Sequence, residues 1–402
     1  MAFERLEIPY GAYWSTPFAK WQGKLQSLHS LQFAAHVARD ELKRRNIAPT
    51  AFDFGVLGLT INQFQSFYGA PWPLYEIGLT SVAGPTISQA CATGVRALMT
   101  AATEIQQGLA TCALALTADR CSNGPHLYYP APSSPGGTGR SEDQVLYNFS
   151  HEPVGDHSML QTAENVASRL GITLEEQHDV TLQRHEQYGQ ALAHERAFQR
   201  RYMSLPFSVP RFDFRGEAAV MEGDEGIVET TAEGLGKLKP VMNDGTVTYG
   251  SQTRPADGNC AIIVATPEKA RDLASNPSVR VRVLGFGQGR TELGYMPEAP
   301  VIAARRALSA ANLEMGAIKT VKSHNPFAVN DIAFSRATDF PLARMNNFGC
   351  SLVWGHPQGP TAMRGIIELI EELAIGGGGV GLFQGCAAGD SAMAAVIQVD
   401  DR

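Results

Sequence analysis

Two cysteines and two histidines in this chain have the types and settings that acyl chemistry needs. Cys91, in ACATGVRAL (90–98), stands about one turn ahead of a helical run among small residues. Unpaired N–H groups at a helix start favour a thiolate, and small neighbours admit a substrate. Alone, Cys91 reads either as a nucleophile or as a small buried hydrophobe in a tight turn, the commoner fate of a free cysteine. His356, in GHPQGP (355–360), also precedes a helical run, where the positive helix end disfavours imidazolium and leaves a neutral base. Its other reading is a hydrogen-bonded turn histidine. His324, in SHNPFAVND, follows the strand-like AIKTVKS and reads as a donor into the same space or as a strand-end surface residue. Cys386 lies in 376-GGGGVGLFQGCAAGDSAMAA-395, whose glycines could cradle a phosphate or turn a helix into a strand. A cradle needs a strand, then glycines, then a helix opening on Lys and Ser or Thr, and no such lysine follows.

These residues need a frame. Residues 30–45 show helical spacing and 53–60 a short buried strand. Residues 86–119 read as strand end, turn, helix from about Gly94, stop at Gly108, and buried strand 112–118. Residues 355–390 repeat that plan, which implies an internal duplication. Between the copies, 121–244 is richer in Gly, Pro and His, holds a polar helical stretch at 168–201, and reads as an inserted loop domain. The first half (1–120) then resumes over 245–270 with the strand 257–266, and a linker helix at 268–278 leads into the second half, 271–402.

Composition narrows the function. The 402 residues are ample for a buried core and exceed a usual single one. A net charge of −7 argues against nucleic acid or an anionic membrane surface, which need a basic face. No run reaches membrane-spanning length and the N-terminus has no cleavable leader pattern, so a cytoplasmic protein is expected. The six cysteines lack CxxC spacing, so neither a zinc site nor a disulfide framework is signalled.

Taken in order, the motifs resemble the thiolase superfamily along nearly the whole chain. ACATG (90–94) is similar to its nucleophile segment, and MLQTAENVA with GITLEEQ (159–177) to its loop-domain signature. KLKPVMNDGTVTYG…ADGNCA (237–261) resembles the run before its last N-half strand. HNPFA (324–328), GHPQGPTAMR (355–364) and GLFQGCAAG (381–389) resemble its Asn/His-Glu-Ala-Phe, Gly-His-Pro and final cysteine boxes.

The resemblance implies an α/β fold of two duplicated βαβαβαββ halves in five layers (αβαβα), with the inserted loop domain. It implies that Cys91 is acylated after His356 takes its proton, and that Cys386 moves a proton on the α-carbon. His356 with His324 would form one oxyanion hole, and backbone N–H groups at Cys91 and near Ala388 the other. Coenzyme A would be a substrate, with no metal and no permanently bound cofactor. A homodimer or tetramer is implied, with a small zinc-ribbon/OB-fold protein as a further partner.

Departures bear on the substrate. His324 occupies the place of asparagine in many members, Asn325 replaces an acid, and Pro326 is unusual. Ser158 precedes Met159 where many members have histidine. Arg254 replaces glycine beside Thr253, the pantetheine-contacting position, and reads as a solvated surface arginine or as a clamp on an acyl carboxylate. Met159, Thr253, Arg254 and Phe327 are thus the expected substrate contacts. The aromatic stretches 63–75 and 125–130, with HNPF and Arg254, point to an aromatic or dicarboxylic β-ketoacyl-CoA such as benzoylsuccinyl-CoA. Two other readings stay open. One is a non-catalytic acyl-CoA-binding or scaffolding subunit, and the other a ketoacyl-synthase-type condensing enzyme, suggested by NNFGCS (346–351).

Overall fold

The computed structural model describes residues 3–401. One sheet contains β1 (Tyr13–Ser15), β2 (Phe54–Gly58), β3 (Thr86–Ile87), β4 (Cys112–Arg120) and β5 (Ala256–Ala265), in the order β1-β5-β4-β2-β3, with Ala19–Lys20 added beside β5. The other contains β6 (Val279–Arg290), β7 (Thr320–His324), β8 (Gly379–Ala387) and β9 (Ser391–Asp401), in the order β6-β9-β8-β7. In each sheet a parallel pair, β2 with β4 or β7 with β8, is followed by an antiparallel partner, β5 or β9. The plan is therefore duplicated.

The helices that matter are α1 (Ser30–Arg44), α2 (Thr93–Gln106), α3 (Met159–Leu170), α4 (Leu174–Arg196), α5 (Ala299–Ala311), α6 (Ala328–Thr338) and α7 (Gly359–Ile375). Helices α2 and α7 pack on each other between the sheets, α1 covers the outside of the first sheet, and α5 covers the second. The layering is helix, sheet, helix, sheet, helix. Strands β4 and β5, covered on both faces, are accordingly continuous small and apolar runs rather than alternating ones. A Cβ at Gly94 would lie 2.6 Å from the Gly359 carbonyl oxygen and 2.6 Å from the Met363 nitrogen, so glycine is what lets α2 and α7 meet.

Two expected elements differ. The polar stretch 168–201 is not one helix: α3 ends at Leu170, Gly171 adopts φ +60, and Thr173 with Glu176 opens α4 with a capping box. The linker helix is shorter than 268–278 and spans Pro267–Leu273, because Ala274 turns extended at ψ 137. Gly377, Gly378 and Gly379, at φ +76, +87 and +131, form the turn from α7 into β8. Among the described residues no helix is long and apolar enough to cross a membrane.

Candidate active site

Four chain segments converge on one cavity of about 520 Å³. Cys91 reaches it from the turn before α2, where Ala90 takes φ +45 and Thr93 ties the turn by donating to the Ala90 carbonyl (2.7 Å) and accepting from the Gln89 N–H (2.8 Å). His356 reaches it from the turn before α7. Its backbone is clamped by the segment before β5: His356 N–H donates to the Arg254 carbonyl (2.8 Å), and Ala256 N–H to the His356 carbonyl (3.3 Å). His324 ends β7 and Cys386 lies near the end of β8. Their parallel register sets His324 beside Gly385, where a Cβ would come within 2.9 Å of the His324 Cβ. Glycine at 385 therefore makes room for the imidazole.

The side chains are in working contact. Cys91 Sγ is 3.1 Å from His356 Nε2, while His356 Nδ1 is 2.6 Å from Thr361 Oγ1. With the thiol proton directed at Nε2, the Nδ1–H donates to Thr361, which fixes the tautomer a base requires. Burial pushes the Cys91 thiol up to about 12, against hydrogen bonds from the backbone at Ala388 and Cys91 that favour the thiolate. Burial holds His356 down to about 3. Both partners are uncharged at neutral pH, so the proton moves only during reaction. His324 is held well below its ordinary value by burial first and by His356 second, and the two rings stack at 4.1 Å.

Behind His324 lies a relay. Its Nδ1 is 2.9 Å from Ser351 Oγ, which also lies 3.0 Å from Asn325 Oδ1. Asn325 Nδ2 donates to Asp331 Oδ2 (2.8 Å), and Asp331 is paired with fully buried Arg184 at 2.8 Å. His324 lines the cavity, and its buried Nε2 has no hydrogen-bond partner among the described residues. Cys386 Sγ accepts from Asn330 Nδ2 at 3.3 Å, and burial followed by its neighbour Cys91 pushes its thiol well above the ordinary value. A protonated thiol at neutral pH follows. The Cys91 sulfur and the nitrogens of His324 and His356 lie within 4.8 Å of one another, a donor set that could also hold a metal ion.

Met159, Thr253 and Phe327 line the cavity, although the Thr253 hydroxyl is donated to the Ser351 carbonyl at 2.5 Å. Arg254 does not line it, and neither expected reading describes it. Its guanidinium is mostly buried and donates to the carbonyls of Val353 (2.9 Å) and Glu225 (2.9 Å), so it pins backbone next to His356. Arg254→Met should lower stability by about 1–3 kcal/mol in urea unfolding, the scale for charge-assisted hydrogen bonds. The aromatic stretches 63–75 and 125–130 also lie outside the cavity wall, with Phe64, Phe67, Tyr68, Tyr75, Tyr128 and Tyr129 exposed. The aromatic rings on the wall are Phe149 and Phe327. Thr361, Asn330, Ser351 and Gln358 were not singled out from sequence. Only Thr361 left a usable signal, a hydroxyl residue in the first turn of the helix that follows His356.

Comparison with known proteins agrees with this arrangement. The family model "Thiolase, N-terminal domain" matches residues 12–268, and "Thiolase, C-terminal domain" matches 278–399. An acetyl-CoA acetyltransferase of Chromobacterium violaceum is 27% identical over 400 residues, covering 98% of this chain and 100% of the relative. Acetyl-CoA acetyltransferase 2 of Arabidopsis thaliana is 29% identical over 395 residues, covering 96% and 95%. The crystal structure of human mitochondrial 3-ketoacyl-CoA thiolase superposes with a TM-score of 0.89 at 25% identity, covering 99% of this chain and 100% of that one. With both halves matched and the site assembled at their seam, the chain belongs to the thiolase family of acyltransferases.

Proposed function

We propose that the enzyme makes or breaks the carbon–carbon bond of a β-ketoacyl-CoA, with coenzyme A as acyl acceptor or leaving thiol. The observation that carries this is the 3.1 Å contact of Cys91 with His356 beside a second thiol, Cys386, on the same cavity wall. In the cleavage direction His356 takes the Cys91 proton and the sulfur attacks the keto carbon. The bond to the α-carbon breaks, leaving an acyl group on Cys91 and an enolate that Cys386 protonates. The thiol of coenzyme A then gives its proton to the Cys386 thiolate and attacks the acyl-enzyme, and Cys91 leaves as it takes back the proton held on His356. Charge on the thioester oxygens is met by His324 and by the N–H groups at Cys91 and Ala388. This assembly speaks against a purely scaffolding subunit, and the order of the boxes against a ketoacyl-synthase type.

The wall also bears on the acyl group. Among the described residues that line it there is no Asp, Glu, Lys or Arg, while Ile61, Val145, Phe149, Met159 and Met296 supply apolar surface. An uncharged, bulky or aromatic acyl group is better supported than a dicarboxylic one, since the free carboxylate of benzoylsuccinyl-CoA would meet no cation. The same reading has the chain act in the cytoplasm as a homodimer or tetramer, with a small zinc-ribbon/OB-fold protein as partner. The test is turnover of a panel of β-ketoacyl-CoAs with free coenzyme A, with and without any co-purifying protein, followed by peptide mass analysis of the trapped intermediate. The acyl label should sit on Cys91 and aromatic substrates should lead. Label on Cys386 or Cys112 would reject the assignment.

A further inference from the structure

Gln358 lies between His356 and the first residue of α7, with φ +61 and ψ −112, a region that residues other than glycine seldom occupy. Its side chain is buried at 5% exposure and lines the cavity. The carboxamide Oε1 is 3.4 Å from Cys91 Sγ, and the Nε2 has no hydrogen-bond partner among the described residues. A strained backbone and an unpartnered buried donor each cost stability, and both occur together here, beside the nucleophile.

The chemistry at that sulfur changes sign during reaction. While Cys91 is a thiol, its sulfur has two acceptors in reach, His356 Nε2 at 3.1 Å and Gln358 Oε1 at 3.4 Å. Once the S–H bond breaks and an N–H bond forms on His356, the electron pair stays on sulfur. The Oε1 would then face an anion. A half-turn of the carboxamide presents Nε2–H instead, and no proton has to be exchanged for the switch.

We propose that Gln358 is a catalytic residue that turns its carboxamide over as Cys91 ionises and donates Nε2–H to the thiolate. The inference rests on Cys91 and His356 being the nucleophile and base of the proposed function, and it deepens that reading. The other titratable groups facing Cys91 are His324 from β7, Cys386 from β8, and Asp119 and Cys121 from the end of β4. None of these is altered in the test.

The test is the rate of Cys91 alkylation by iodoacetamide from pH 6 to pH 10 in the intact protein, which needs no acyl-CoA turnover. Failure here is therefore distinguishable from failure of the proposed function. Gln358→Leu keeps the backbone demand and loses the amide, whereas Gln358→Gly relieves the backbone and loses the amide. Each should be alkylated about 10-fold more slowly throughout this range, since burial holds the Cys91 thiol up to about 12 and the thiolate fractions of parent and variant keep a fixed ratio below that, the effect of losing one hydrogen bond to a charged group. Gln358→Glu should be slower still, because a carboxylate repels the thiolate. Profiles for the Leu and Gly variants that superpose on the parent would overturn the proposal. So would a Gly variant that reacts faster, since the strain would then be the whole effect.

Discussion

Cys386→Ser enzyme should still be acylated on Cys91 and yet lose carbon–carbon bond making and breaking by about 10²–10⁴-fold, the loss typical of a positioned acid/base group. The reason is a division between two thiols a short distance apart. Cys91 faces His356 and gives up its proton, while Cys386 accepts from the Asn330 amide, has no imidazole hydrogen-bonded to it among the described residues, and stays a thiol that can return its proton to carbon. A serine hydroxyl fits the same place but releases its proton far less readily. The check is a pair of assays on one preparation, Cys91 acylation by mass and cleavage by absorbance. Cleavage within threefold of the parent would make Cys386 a packing residue.

His356→Asn should cripple the other half of the chemistry, slowing Cys91 acylation by about 10²–10⁴-fold because among the described residues no other imidazole or carboxylate hydrogen-bonds the sulfur. The same variant should also change the acid stability of the fold. His356 is held at about 3 in the folded protein against 6.5 ordinarily, so between those values the unfolded chain binds a proton that the native state refuses. That difference drains stability as pH falls from about 6.5 toward 3. Removing the imidazole removes this contribution, and urea midpoints measured from pH 6.5 to pH 4 should fall less steeply for the variant. Equal slopes would mean that His356 is not buried neutral.

Much of the site was legible because thiols and imidazoles are scarce and the turns before α2 and α7 are written in small residues and proline. Cys91, His324, His356 and Cys386 announce possible chemistry by type, although Cys91, His324 and His356 each also read as structural alone and the ordered boxes are what pick them out. Asn330, Thr361 and Gln358 make no such announcement, since their value comes only from being brought beside sulfur or imidazole by helices whose packing sequence periodicity leaves open. Arg254 was misread for a related reason. Its partners are carbonyls at 225 and 353, and a backbone oxygen leaves no mark in the sequence. The single stretch read at 168–201 shows the opposite failure: Gly171 and the Thr173–Glu176 box were present, but the polar run on either side masked the break.

The duplicated plan has a consequence for how such a site is owned. At the penultimate position of β4 stands Asp119, and at the penultimate position of β8 stands Cys386. Asp119 reaches across to the start of α7 and accepts the Gly359 N–H at 3.0 Å, while the turn after Cys386 supplies the Ala388 N–H to Cys91 ahead of α2. Each copy thus lends the tip of a strand to the doorstep of the other copy's helix. One copy spends its loan on architecture and the other on reactivity. The two equivalent strand ends thus do unequal work, and neither copy by itself holds a complete route for a proton.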